Sequence, residues 1–261
     1  MPDELTMNAV TEPQTLIRPD GTAIAYHHSP GETPGVLFCG GFMSDMTGTK
    51  ALALESSCIR NGRAYTRFDY RGHGQSGGRF TDGTIGLWAD DAMAVLDAVT
   101  TGPQVVVGSS MGGWIMLLLA QRRPARVAGL VGIAPAPDFV ERMWEDFPEE
   151  VRQTLQRDGV YHEPSEYSDE PYAITLELIE DGRRHLALPA AGEVTCPVRI
   201  LQGMRDPDVP WRGALDLVDR LGGDDVTVSL VKNGDHRLSE PADIDRLCHT
   251  VEDLAQAVAA A

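Results

Sequence analysis

The tightest constraint on this chain is a five-residue stretch, Gly108-Ser109-Ser110-Met111-Gly112. An apolar β-branched run, Val105-Val106-Val107, precedes it, and a helix-forming run from Trp114 to Arg123 follows. Strand, sharp turn and helix around G-x-S-x-G is the context that lifts a serine onto a strained turn as a nucleophile. The spacing has a steric reason. Strand and helix backbones pass close to such a serine, so its neighbours must lack a Cβ. Gly108 and Gly112 supply that room, and Gly113 extends it. The turn also sets Ser110 at a helix N-terminus, where free backbone N–H groups can stabilise an oxyanion.

Around this stretch, strand and helix patterns alternate. Thr15 to His28 predicts a hairpin about the turn Pro19-Asp20-Gly21. Short apolar runs predict strands at Val36–Cys39, Ala64–Asp69, Val127–Ile133, Val198–Leu201 and Val226–Val231. Helices are expected over about Thr49–Asn61, Thr84–Val99, Trp211–Leu221 and Ala242–Ala259. In the second of these, Leu87, Asp91, Ala94, Val95 and Ala98 mark the expected buried face. The alternation breaks between Pro137 and Gly192, where the composition turns acidic and aromatic. The expectation is an α/β fold with a mostly parallel, doubly wound sheet. Its core would comprise residues 1–137 and 193–261, with a small helical cap insertion at 138–192.

Composition excludes some functions. A net charge of −17, from 22 basic and 39 acidic residues, repels nucleic acid and anionic membrane. Cys39, Cys58, Cys196 and Cys248 are dispersed with no C-x-x-C pair, so they read as free thiols with no metal site. The start, Met1-Pro2-Asp3-Glu4-Leu5, is acidic and carries neither a signal nor a transit pattern, and no apolar run has membrane-spanning length. A cytoplasmic enzyme is the resulting expectation.

A serine hydroxyl needs a base, and the base needs a carboxylate to hold its tautomer. On this kind of sheet both arrive in loops after strands, in the order serine, acid, histidine. Gly203-Met204-Arg205-Asp206-Pro207-Asp208-Val209-Pro210 follows one late strand, and Asn233-Gly234-Asp235-His236 follows the last. His236 is the expected base. His27 and His28 lie on the first hairpin, His162 and His185 in the insertion, and His249 in the last helix. His73 precedes the serine in a Gly-rich loop and reads as a loop brace. Asp206 is the expected acid; Asp138 is the outside candidate, while Asp208 and Asp235 read as loop residues. The oxyanion donors expected are the N–H groups of Met111 and Phe42, the latter freed to approach by Gly40 and Gly41.

These stretches, together with Asp69-Tyr70-Arg71-Gly72-His73-Gly74-Gln75-Ser76, resemble the α/β-hydrolase superfamily across nearly the whole chain. Gly41-Phe42-Met43-Ser44-Asp45-Met46-Thr47-Gly48-Thr49-Lys50, Gly108 to Trp114, Gly203 to Trp211 and Asp235-His236-Arg237 are similar to one branch of it. That branch contains mitochondrial acyl-glucuronide esterase and acyl-protein (palmitoyl) thioesterase activities. The resemblance implies hydrolysis of carboxylic esters or thioesters with Ser110, Asp206 and His236 as triad, and no cofactor. Gly40 stands where many members carry histidine, and the chain looks more like a bacterial member. Substrates would be small-molecule or acyl-protein esters. The insertion's aromatics, Trp144 and Tyr161 foremost with Phe147, Tyr167 and Tyr172, are expected to wall the pocket, with Arg183 and Arg184 docking an anionic leaving group. The rival readings are a slow-turnover ligand receptor on the same fold, and carbon–carbon hydrolase or perhydrolase chemistry on the same triad.

Overall fold

The computed structural model describes residues 12–164 and 171–260. Strands β1 (Gln14–Ile17) and β2 (Ala23–Ser29) pair antiparallel around a turn in which Gly21 takes φ +85° and Thr22 N–H donates to Asp20 Oδ1. Next come β3 (Glu32–Cys39), α1 (Thr49–Arg60), β4 (Arg63–Phe68), α2 (Ile85–Val99), β5 (Gln104–Ser109), α3 (Met111–Arg122) and β6 (Val127–Ile133). The intervening stretch holds α4 (Phe139–Asp146), α5 (Glu149–Asp158), β7 (Val160–Glu163), β8 (Tyr172–Thr175) and α6 (Leu176–Arg184). The chain closes with β9 (Val198–Gly203), α7 (Arg212–Arg220), β10 (Val226–Val231) and α8 (Pro241–Ala259).

Eight strands form one sheet in the order β1-β2-β4-β3-β5-β6-β9-β10. From β4 to β10 every pairing is parallel, and only β1–β2 and β2–β4 run antiparallel. Parallel strands are covered on both faces, which is why their sequences read as unbroken apolar runs. The two-residue period then divides each run between two cores. Leu37, Cys39, Val106 and Leu130 pack with α2 and α3 on one face. Val36, Phe38, Val105, Val107 and Val131 pack with α1 and α8 on the other.

Two expectations need correcting. On α2 the fully buried stripe runs through Ile85, Trp88, Ala89, Ala92, Val95 and Leu96, whereas Ala98 is exposed and Leu87 and Ala94 are half-buried. Asp91 and Val95 of the expected face are fully buried, so the two stripes overlap at the centre of the helix and part at Leu87, Ala94 and Ala98. Trp88 is held in the buried stripe by its Nε1–H, which donates to the Arg71 carbonyl. The stretch 138–192 is also not wholly helical, because β7 and β8 pair antiparallel as a two-stranded sheet of their own.

The Asp69–Ser76 loop is a clasp built around one carboxylate. Asp69 Oδ1 accepts Met46 N–H at 2.7 Å and Oδ2 accepts Gln75 N–H at 2.8 Å. Ser76 Oγ donates to the Asp69 carbonyl and accepts Ala25 N–H, tying the loop back to β2. Arg71 binds the fully buried Asp91 through two nitrogens, at 2.9 and 2.8 Å. The clasp thereby fixes the loops that follow β3 and β4 beside each other at the carboxyl edge of the sheet.

Candidate active site

Ser110 sits between the last residue of β5 and the first of α3, at φ +54° and ψ −117°. This left-handed backbone is strained for a residue with a Cβ and persists only because its surroundings hold it. A Cβ on Gly108 would collide with the Gly112 carbonyl, and one on Gly112 with the Cys39 carbonyl. The steric reason read from the motif is therefore visible in the backbones that meet there.

Three side chains from three loops form one hydrogen-bonded chain. His236 Nε2 lies 3.1 Å from Ser110 Oγ, and His236 Nδ1 lies 2.8 Å from Asp206 Oδ2. The Asp206 carboxylate is shielded from solvent. Its Oδ1 accepts the N–H groups of Asp208 and Val209, and its Oδ2 also takes Gln202 Nε2–H at 3.1 Å. Burial pushes this carboxyl up, but the His236 hydrogen bond, the Val209 and Asp208 amides and the His236 charge outweigh it, and its pKa is lowered. An ionised acceptor at that point fixes the proton on Nδ1 and leaves Nε2 to face the serine.

The other acids are committed elsewhere. Asp138, after β6, accepts Ala187 N–H at 2.7 Å and Leu188 N–H at 3.0 Å, and burial raises its pKa. Asp235 is exposed and accepts Leu238 N–H in a turn. Asp206, Asp208 and His236 bring three potential ligand atoms within 4.8 Å of each other. Both Asp206 oxygens already take N–H donors, however, so the set is arranged to hold an imidazole and not a cation.

The backbone beside Ser110 offers two donors. Gly113 N–H is taken by the Ser110 carbonyl, Ser110 N–H by the Ile133 carbonyl and Met43 N–H by His73 Nε2. Among the described residues no acceptor takes the N–H of Phe42 or of Met111. A Cβ built on Gly41 would lie 3.5 Å from the Ser110 Cβ, so the loop after β3 runs directly against the turn. The Phe42 ring packs edge-on against Phe80, Trp88, Phe139 and Tyr172 with centroids 4.8 to 6.1 Å apart, joining this loop to core and insertion alike.

A cavity of about 950 Å³ opens over Ser110 and His236. The insertion contributes Phe139, Met143, Phe147, Tyr172 and Ile174 to its wall. Lys50 lines it too; burial and the neighbouring Arg237 charge lower its ammonium to about 8, and Nζ donates to the Arg237 carbonyl at 2.6 Å. Arg142 reaches from α4 to the Asp208 carbonyl, tying the insertion to the loop that carries Asp206.

Of the pocket residues expected from the insertion, Phe147 and Tyr172 line the cavity, whereas Trp144, Tyr161, Arg183 and Arg184 are placed otherwise. Trp144 faces away from the cavity, with the Arg183 guanidinium 5.2 Å from its ring centroid. Arg183 is exposed and pairs with Glu141, and Arg184 is exposed and pairs with Glu177 and Asp181. Tyr161 packs behind Phe147 and does not line the cavity. Tyr167 lies outside the described residues. Composition located an aromatic insertion but carried no period to say which rings face inward; α4 turns Phe139 and Met143 to the site and Trp144 away from it, and Phe147, just past its end, joins them in the wall.

His73 is 4 % exposed, and burial lowers its pKa from the ordinary 6.5 to about 4. A depressed folded pKa means that the unfolded chain binds the proton first, so stability falls as pH drops from 6.5 towards 4. From pH 7 to pH 5 this residue alone should remove about 2 kcal/mol. Urea unfolding of wild type and His73→Gln at both pH values reads it out. A smaller pH-dependent loss in the variant is expected, and an equal loss contradicts it.

Residues 36–181 match the family described as the alpha/beta hydrolase fold. The mitochondrial palmitoyl-protein thioesterase ABHD10 of Bos taurus is 43% identical over 240 residues, 92% of this chain and 78% of its own. The Homo sapiens protein of the same name is 41% identical over the same shares. Among solved structures, mouse alpha/beta hydrolase domain-containing protein 10 superposes with TM-score 0.88 at 40% identity, covering 95% of this chain and 100% of that one. A hydrolase from Agrobacterium vitis S4 superposes with TM-score 0.87 at 44% identity, covering 94% and 98%. The curated relatives are named as mitochondrial, which overturns the cytoplasmic expectation. Of its grounds, dispersed free thiols and the lack of a membrane-spanning run do not tell one compartment from another, and the Met1–Leu5 start lies outside the described residues. Motif, sheet order and relatives agree: the chain belongs to the α/β-hydrolase family.

Proposed function

We propose that this protein is a serine hydrolase cleaving carboxylic ester or thioester bonds through an acyl-enzyme on Ser110. The observation that carries the reading is the continuous chain Ser110 Oγ–His236 Nε2 and His236 Nδ1–Asp206 Oδ2. His236 takes the Ser110 proton as Oγ attacks the substrate carbonyl, and Asp206 stabilises the imidazolium that forms. The N–H groups of Phe42 and Met111 receive the negative charge that develops on the carbonyl oxygen. His236 then protonates the leaving group, and water activated by the same imidazole releases the acid.

The described residues of 138–192 act as a cap over a core formed by those of 1–137 and 193–261, and the acyl chain lies against Phe139, Met143 and Phe147. At about 950 Å³ the cavity is at the upper end of the range for ligand sites. Long acyl groups are therefore the preferred substrates, in line with relatives named palmitoyl-protein thioesterases. Each methylene buried contributes about 0.8 kcal/mol, or about fourfold in kcat/KM. The test is an acyl series from acetyl to palmitoyl, run on para-nitrophenyl esters and on thioesters. Values rising by about that factor well beyond medium chain length are expected; acetyl esters turned over best, with steady decline thereafter, would contradict the apolar cap.

A further inference from the structure

His73 lies outside the proposed triad, yet from the loop after β4 it bonds to the loop after β3 that carries Phe42, one of the proposed oxyanion donors. Gly41 to Ser44 form a β-turn, closed by Ser44 N–H on the Gly41 carbonyl and by Ser44 Oγ on the same oxygen at 2.9 Å. Met43, at the third position of that turn, takes φ +53°. A side chain there strains the backbone, and rotating the central Phe42–Met43 peptide would relieve it. One contact opposes that rotation: the N–H of this same peptide donates to His73 Nε2 at 3.2 Å. His73 Nδ1 lies 3.2 Å from the Arg71 carbonyl, so Nδ1 carries the proton and Nε2 presents its lone pair. The ring is locked in that pose, edge-on to Tyr70, Phe80 and Trp88 at 5.1 to 5.6 Å between centroids. Phe80 and Trp88 also pack the Phe42 ring, so the two central residues of the turn are held, directly or through His73, by the same two side chains.

We infer that His73 is a positioning residue for the oxyanion hole: its Nε2 lone pair anchors Met43 N–H at the centre of the Gly41–Ser44 turn, and so limits movement of the adjoining Gly41–Phe42 peptide, whose N–H faces the carbonyl oxygen beside Ser110. This inference rests on the serine-hydrolase reading above. It requires a neutral imidazole, since a proton on Nε2 would face Met43 N–H donor to donor. The charged groups facing the ring through its packing elements are Arg71 and, behind Arg71, Asp91. The effect is on the transition state, since His73 is not part of the cavity wall.

The test compares His73→Leu, which removes the acceptor, with His73→Gln, whose amide oxygen can occupy the Nε2 position. The readouts are kcat and KM on a para-nitrophenyl acyl ester, and the inhibition constant of an alkyl trifluoromethyl ketone, which becomes a tetrahedral oxyanion on the serine. His73→Leu is expected to lower kcat about 10- to 100-fold with KM nearly unchanged, and to weaken the ketone by a similar factor. His73→Gln should restore most of both. His73→Asn, whose shorter amide reaches only the Nδ1 position, provides a second acceptor-free variant if the leucine protein does not fold. Retention of kcat in His73→Leu or His73→Asn, or a glutamine variant no better than these, overturns the inference. So does a loss of kcat with ketone affinity unchanged. Wild-type protein that neither turns over the ester nor binds the ketone is a separate outcome: it removes the serine-hydrolase reading itself, and this inference with it.

Discussion

Ser110→Ala is expected to remove about 10⁴-fold or more of ester turnover while leaving the fold nearly intact. Members of a nucleophile–base–acid set act as a unit, so losing the nucleophile costs almost all that the set supplies. The residual rate comes from binding and from the oxyanion donors, which the substitution leaves in place. Stability should barely move for a structural reason. Alanine keeps the Cβ that the φ +54° backbone already tolerates, and the hydroxyl's hydrogen-bond partner is the His236 ring at 3.1 Å, beside the cavity. Steady-state kinetics with a thermal melt checks both halves. Turnover within tenfold of wild type would remove Ser110 from the mechanism.

Asp206→Asn is expected to lower turnover by about 10⁴-fold as well, by a different route. Two backbone amides, of Asp208 and Val209, donate to Asp206 Oδ1 and will hold the asparagine oxygen there. The asparagine NH₂ then points at His236 Nδ1, which must become the acceptor. The ring proton moves to Nε2, and the base no longer has a lone pair for the Ser110 proton. The matched control is Asp138→Asn. Asp138 holds Ala187 N–H and Leu188 N–H, one on each oxygen, and asparagine can accept only one of them. That variant should lose about 1–3 kcal/mol of stability and little activity. If Asp138→Asn abolishes turnover while Asp206→Asn is mild, the acid lies after β6 and not after β9.

Much of this was legible in the sequence because backbone rules leave a strong imprint. Glycines at 108 and 112 are required by carbonyl groups that approach within contact distance, so a steric fact is written as a residue type. Val105-Val106-Val107 reads as a strand buried on both faces because each successive valine faces a different core. The order Ser110, Asp206, His236 follows from which strand ends lie together in a parallel sheet. The insertion obeyed no such rule. Trp144 and Phe139 are equally aromatic, and only the way α4 is turned puts Phe139 in the cavity wall and Trp144 under Arg183. Met43 was equally unreadable. Its backbone takes φ +53° where a histidine 30 positions away accepts its N–H, and nothing in its own side chain announces it.

The central claim, an acyl-enzyme on Ser110, is tested most directly by fluorophosphonate labelling followed by peptide mass spectrometry. The account predicts one phosphonyl group per chain, on Ser110, with labelling slowed strongly in His236→Ala and blocked by prior addition of a long-chain ester. A label on Ser109, or no label on protein that hydrolyses the ester, would contradict it.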